Sequence, residues 1–281
     1  MRRKQHDDVR RSYLLWIIIF LLCISIQLRG ISQGIADREI GGWRLTAGAV
    51  ASRSSVTDKK FSTVPFTAIV PGLTASIQYS HRHAGHDIHI CYIKGQLKSD
   101  KSLLAGPDQK MFTLDYANLY VVYRSGNGLF TGKTGGGLQL FYTGRKYNDF
   151  INSNHSFEMA ASLGPVAEIT CDLPGALAGF SLLDRFTLPV VFLYAQSPYG
   201  ADVFPAESSG KKSDLGNFFA HNKLAAIPGL LRFSNSMMIQ KNITSRQQLA
   251  VSYNWDFYHI KTSQDVRRAN HQLIISYSYM L

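Results

Sequence analysis

This chain is poor in charge and in cysteine, and beyond residue 28 it has no long apolar run. Only 17% of its 281 residues are charged, while 45% are hydrophobic and 12% aromatic. A disordered segment needs the opposite balance, and a nucleic-acid binder needs its cations gathered in a patch, so both classes are excluded. The cysteines are Cys23, Cys91 and Cys171. Cys91 and Cys171 fall in separate strand-like segments and are expected to be unpaired, although an exported protein is free to form disulfides. Past residue 28 no segment approaches the ~20 apolar residues that a spanning helix requires. If this chain crosses a membrane, it does so with strands.

The N-terminus has a different character. Arg2, Arg3, Lys4, Arg10 and Arg11 precede the apolar run LLWIIIFLLCISIQL (residues 14–28), and Gly30-Ile31-Ser32 follows. Cations, a short apolar core and small residues at the cleavage positions make a secretory signal, with cleavage expected before Gln33. A retained helix is the competing reading, and the run is short for it. Leu22 before Cys23 argues against a lipoprotein site. Removal of residues 1–32 takes six cations and two anions, so the net charge falls from +11 to +7.

The other end suggests the architecture. Leu273, Ile275, Tyr277, Tyr279 and Leu281 share one face of an extended segment, and Gln272, Ser276 and Ser278 share the other; Ile274 and Met280 break the pattern. Strand side chains alternate between faces, so this segment has one greasy side and one mixed side. The same alternation recurs in Gln247–His259, where Leu249, Val251, Tyr253, Trp255 and Phe257 oppose Gln248, Ala250, Ser252, Asn254 and Asp256. It recurs again over His155–Thr170, and in Arg185–Ala195 it predicts Phe186, Leu188, Val190, Phe192 and Tyr194 on the outer face. Aromatics collect towards strand ends, as in the girdles of a membrane barrel. A soluble sandwich would alternate too and is the alternative.

The connections carry independent information. Asn127-Gly128 and Pro174-Gly175 mark turns, and Ala84-Gly85 predicts a hairpin that would set Arg82 opposite Asp87. Long connections near 54–64, 99–110, 146–154, 197–222 and 260–267 alternate with short ones near 84, 127, 174 and 241. That is the pattern of external loops and periplasmic turns. The expected fold is all-β, a transmembrane antiparallel up-and-down barrel of about ten strands over residues 65–281, with twelve possible. Ten requires the weakly alternating stretch 41–53 to be the first strand; residues 33–64 could equally form a plug.

The stretches VPGLTASIQYSHRHAGHDIHICYIKGQLKSD, NSNHSFEMAASLG, LPVVFLYAQSPYG and VSYNWDFYHI resemble uncharacterised outer-membrane β-barrel proteins of Bacteroidetes-type bacteria, over roughly residues 64–281. The resemblance implies the fold and the outer membrane. It brings no functional residue with it.

Several groups of side chains are candidates for chemistry. Glu158, Glu168, Arg185, Arg232 and Asp256 fall on predicted inner faces, either as a charged pathway for a solute or as ion pairs filling a narrow lumen. His81, His83 and His86 share a face of the hairpin tip, with His89 on the other, and three imidazoles could hold a metal. An ordinary polar turn is the plainer reading. Gly132-Lys133-Thr134 resembles the end of a phosphate-binding loop, but position 127 is Asn and a strand follows, so that reading fails. A lipid-modifying enzyme is the alternative function. His155 and Ser156 cannot pair on one strand, while His259 and His271 could meet across the last loop. No cofactor and no nucleic acid is expected. The expected partners are outer-membrane lipids, lipopolysaccharide and the barrel-assembly machinery, with Lys211, Lys212, Lys261, Arg267 and Arg268 in external loops to meet phosphates. The protein is expected to be a monomer with a structural, adhesive or limited solute-passage role.

Overall fold

The structure, a computed structural model, describes residues 42–58, 65–81, 83–99, 106–147, 155–196, 222–226, 229–260 and 266–281. The secretory signal and the loop cations Lys211, Lys212 and Lys261 lie outside these ranges. The strands are β1 (Gly42–Asp58), β2 (Phe66–His81), β3 (Ala84–Gln96), β4 (Asp108–Arg124), β5 (Phe130–Lys146), β6 (His155–Asp172), β7 (Phe180–Thr187), β8 (Val191–Gln196), β9 (Lys223–Ala226), β10 (Leu230–Asn242), β11 (Gln247–Ile260) and β12 (Val266–Met280). Every pairing is antiparallel. The order β1-β2-β3-β4-β5-β6-β7-β10-β11-β12 closes on itself into a ten-strand barrel, with β8 and β9 as two short additional strands. One sheet rolled shut excludes the two-layer sandwich.

Closure depends on the last strand meeting the first. Leu45 pairs with Tyr279 and Asp58 with Val266, so β12 lies along the full length of β1. The stretch read weakly from sequence is therefore a true strand, and it runs further than expected. Ser54–Asp58, expected as loop, belongs to it because β2 and β12 both pair with it. Ser54 points inward and donates to Asn270 Oδ1 at 2.6 Å.

Alternation sorts the side chains. Leu73, Leu249, Val251, Leu273, Ile275 and Tyr277 are exposed on the outer wall, and their neighbours Gln248, Ser252, Gln272, Ser276 and Ser278 are buried inside. A soluble protein does not present a continuous belt of large apolar side chains, whereas hydrocarbon requires one. The belt ends in stacked aromatics beside the short turns. Trp43 and Tyr79 lie 4.8 Å apart between ring centroids, and His86 stacks between Tyr79 and Tyr116. We call this the turn end and the opposite rim the loop end.

Two local expectations change. Gln78 pairs with Asp87 and His81 with Ala84, so the first hairpin turns at residues 82–83 and not at Ala84-Gly85. Gln78 is the residue opposite Asp87, whose carboxylate reaches across the lumen to Arg185, while Arg82 lies outside the described residues. The second change is on β7 and β8. Thr187 lies opposite Val166 and Val191 opposite Leu163, so residues 188–190 stand against only Gly164 and Pro165 of β6. Pro189 has no N–H to offer the ladder, and a bulge of one extra residue results. The bulge reverses the alternation. Phe192 and Tyr194, expected outside, are buried inside, and Leu193 is exposed. Gly164 makes room for it, since a Cβ there would lie 2.2 Å from the Leu188 carbonyl oxygen.

Candidate functional site in the barrel lumen

The loop half of the lumen is filled. Phe141, Ala160, Phe192, Tyr194, Leu230, Tyr258, Ile260 and Val266 form one buried cluster, and Val50, Val70, Cys91, Ile93, Met111 and Ile274 form another. Ile274, an exception to the polar inner face of β12, is thus a core residue. The charges in this half are matched. Arg145 donates through Nη1 and Nη2 to the two carboxylate oxygens of Glu158 at 2.7 and 3.0 Å, and Tyr258 donates to the same carboxylate. Arg268 donates to Thr143 Oγ1 on β5. From β12 to β5 is five strands in either direction around the ring, so this bond crosses the full width of the barrel. Gln109 on β4 reaches Ser54 on β1 at 3.1 Å. Side chains from opposite walls thus meet in contact in this half.

The turn half is open. Here a polar cup of about 410 Å³ is lined by inward side chains of most strands, including Ser76, Asp87, Glu168, Arg185 and Ser278. Arg185 is its central cation. It donates to Asp87 Oδ2 at 2.5 Å and to Glu168 Oε2 at 2.6 and 2.8 Å, and Lys133 Nζ lies 3.4 Å from Glu168 Oε1. Arg232 donates to Asp256 Oδ1 at 2.9 Å and stacks over the Phe141 ring at 4.8 Å.

All five inner-face residues singled out from sequence point into the lumen, but at different levels. Glu158 lies in the filled half; Glu168, Arg185, Arg232 and Asp256 line the cup. Sequence reasoning missed three partners, Asp87, Lys133 and Arg145. Asp87 was assigned to a hairpin pair, Lys133 to a failed motif, and Arg145 had no alternating context at the end of β5. Arg268, expected in an external loop, is a buried residue of β12, while Arg267 beside it is exposed. Cys91 and Cys171 are free thiols, as expected.

The histidines are placed otherwise than a metal site requires. Among the described residues no three His, Cys, Asp or Glu side chains converge on a point. His81 and His86 lie on the outer wall, and His86 Nδ1 pairs with Tyr116 Oη at 3.0 Å within the aromatic stack. The pair proposed across the last loop does not meet either. His259 pairs with Arg267, whereas His271 pairs with Trp255, four residues along the strand, and bonds Tyr253 Oη at 2.5 Å. Inside the cup, Thr74, His89 and Asp115 fall in the order hydroxyl, imidazole, carboxylate. Thr74 Oγ1 lies 2.6 Å from His89 Nε2, but it also donates to the Ile90 carbonyl at 3.0 Å, and His89 Nδ1 is 3.7 Å from Asp115 Oδ2. That last distance is too long for a hydrogen bond, so the carboxylate does not orient the ring.

No protein-family model matches the chain, and no curated protein matches it by sequence. Solved structures do match. The outer membrane protease OmpT from Escherichia coli superposes with a TM-score of 0.55 at 6% identity, covering 89% of this chain and 100% of that one. Neisserial surface protein A gives 0.40 at 10% identity, over 86% of this chain and 100% of that one. Ail, the attachment invasion locus protein of Yersinia pestis, gives 0.35 at 10% identity, over 86% and 100%. At such identities the likeness is one of fold alone. By the likeness to OmpT and by its own closed strand order, the chain has the fold of an outer-membrane β-barrel.

Proposed function

We propose that this protein is a non-conducting outer-membrane barrel, exported by its N-terminal signal, monomeric, and structural or adhesive in role. The loop end faces the medium and the cup opens to the periplasm. The observation that carries this reading is the Arg268–Thr143 bond across the lumen, embedded in two apolar clusters. Ten strands make a narrow interior, and here side chains from facing walls fill half of it. Solute passage would require those clusters to part. The orientation rests on connection length. The turn between His81 and Ala84 and the turns 125–129, 173–179 and 243–246 share one end, and Gln196 and Lys223, the strand ends that bound the longest connection in sequence, stand at the other. Arg267, exposed near the loop rim, is suited to meet lipopolysaccharide phosphate. Kinship with the Bacteroidetes-type family belongs to this proposal, resting on the strand stretches quoted above.

The test is planar-bilayer recording of the refolded chain, with insertion checked by heat-modifiable gel migration. Inserted protein is expected to show no steady conductance. Sustained ohmic steps from the unmodified chain would overturn the proposal.

A further inference from the structure

We propose that the outer wall over β3, β4 and β5 holds a lipopolysaccharide molecule, its phosphate between two lysines and its acyl chains along the barrel below. Lys94 on β3 and Lys110 on β4 stand directly opposite each other. Their chain neighbours Ile93, Gln109 and Met111 are buried inside, and both lysines are exposed on the outer face. Opposed strand residues hold their Cβ atoms about 5 Å apart, and like charges so placed repel. Among the described residues neither lysine has an ion pair or a side-chain hydrogen bond. The neighbouring charge does not offset them. Two residues towards the loop end Asp108 faces a third cation, Lys146 on β5, and Lys98 is exposed at the same rim of β3.

The row beneath the lysines is aromatic. Tyr92 faces Phe112 and Phe112 faces Tyr142, all on the outer side of the wall. Gly144 takes the third place in the lysine row, opposite Lys110, and the Tyr142 ring folds over it, since a Cβ on Gly144 would clash with the Tyr142 hydroxyl. The wall thus passes from the exposed apolar side chains of Ile90 and Leu140 to aromatic rings, and then to two ammonium groups with a phenol hydroxyl on the next strand. An anion between Lys94 and Lys110 removes their repulsion, and a lysine ammonium binds phosphate as a point charge. The greasy surface directly below suits acyl chains, with the aromatic row at the level of the interface. The complement is therefore a phosphate that carries acyl chains, not free phosphate. The loop end faces the medium in the reading above, on which this inference rests, and the phosphorylated lipid of that leaflet is lipopolysaccharide.

The experiment is native mass spectrometry of the refolded full chain in non-ionic detergent, with lipid A, dephosphorylated lipid A or phosphatidylglycerol added at equal concentration. Lipid A, the phosphorylated acyl anchor of lipopolysaccharide, is expected to stay bound, and the other two to bind at least about tenfold more weakly. Lys94→Gln with Lys110→Gln, confirmed as folded by heat-modifiable migration, is expected to weaken lipid A binding by at least about tenfold. Lys223→Gln, which removes an exposed cation from β9, is expected to leave it unchanged. The proposal is overturned if the unmodified chain retains no lipid A, or if dephosphorylated lipid A or phosphatidylglycerol is held equally well. It is also overturned if the lysine double variant binds lipid A as well as Lys223→Gln does. Detergent has no inner or outer side, so neither orientation nor conductance enters this readout, and the two readings can fail separately.

Discussion

A charged residue inside a barrel is tolerable only with its partner, and Arg145 with Glu158 illustrates the consequence. Both are almost fully buried and joined by two hydrogen bonds. Removing one partner strands the other charge, whereas replacing both removes the desolvation penalty together with the attraction. Arg145→Met alone should therefore destabilise the barrel by about 3–5 kcal/mol, and Arg145→Met with Glu158→Leu should recover most of that loss. Urea titration in lipid vesicles measures both, and equal losses in the single and double variants would contradict the pairing. The same reasoning shows what a single residue does not reveal in sequence. Glu158 was legible as inward-facing from the alternation of β6. Its partner was not, because Arg145 ends a glycine-rich stretch with no clear period. Asp184 is a harder case. It lies on the lipid-facing side of β7, held by Asn235 Nδ2 at 2.6 Å, where a charge is ordinarily unfavourable.

At the scale of the element, most of the structure was written in period-two alternation. β6, β11 and β12 followed it for most of their length. The failure on β8 has one cause. A pattern of alternating apolar residues from Phe186 to Tyr194 continues smoothly through Pro189 on paper, but the backbone gains a residue there relative to β6. Deleting Pro189 should remove the bulge, turn Phe192 and Tyr194 towards lipid, and take two large side chains out of the core. Loss of each is worth on the order of 3–5 kcal/mol, so the deletion variant should fail to show heat-modifiable migration. Normal migration in that variant would mean that the bulge does not set the register. The first hairpin misled for a different reason. Ala84-Gly85 has turn composition, but the extra pairs His81–Ala84 and Ser80–Gly85 move the turn two residues earlier.

For the whole molecule, the question is what fills a ten-strand cylinder. Phe141 stacks on Tyr258 with ring centroids 5.1 Å apart, from strands on well-separated walls, and Phe192 completes the cluster. Phe141→Ala with Phe192→Ala and Tyr258→Ala removes three such core side chains, so fewer barrels should insert, and those that do should have an open loop half and conduct measurably in a planar bilayer. A silent but inserted triple variant would place the block elsewhere. The apolar belt is continuous around the ring.

Local chemistry in the chain determined an antiparallel barrel of about ten strands and most of its face assignments, because alternation, turn residues and connection length each act over a few residues. The tertiary structure alone decided which charges meet, and that one half of the lumen is packed and the other open. Those outcomes depend on the register in which distant strands close the ring, since a shift of one residue turns every side chain to the other face.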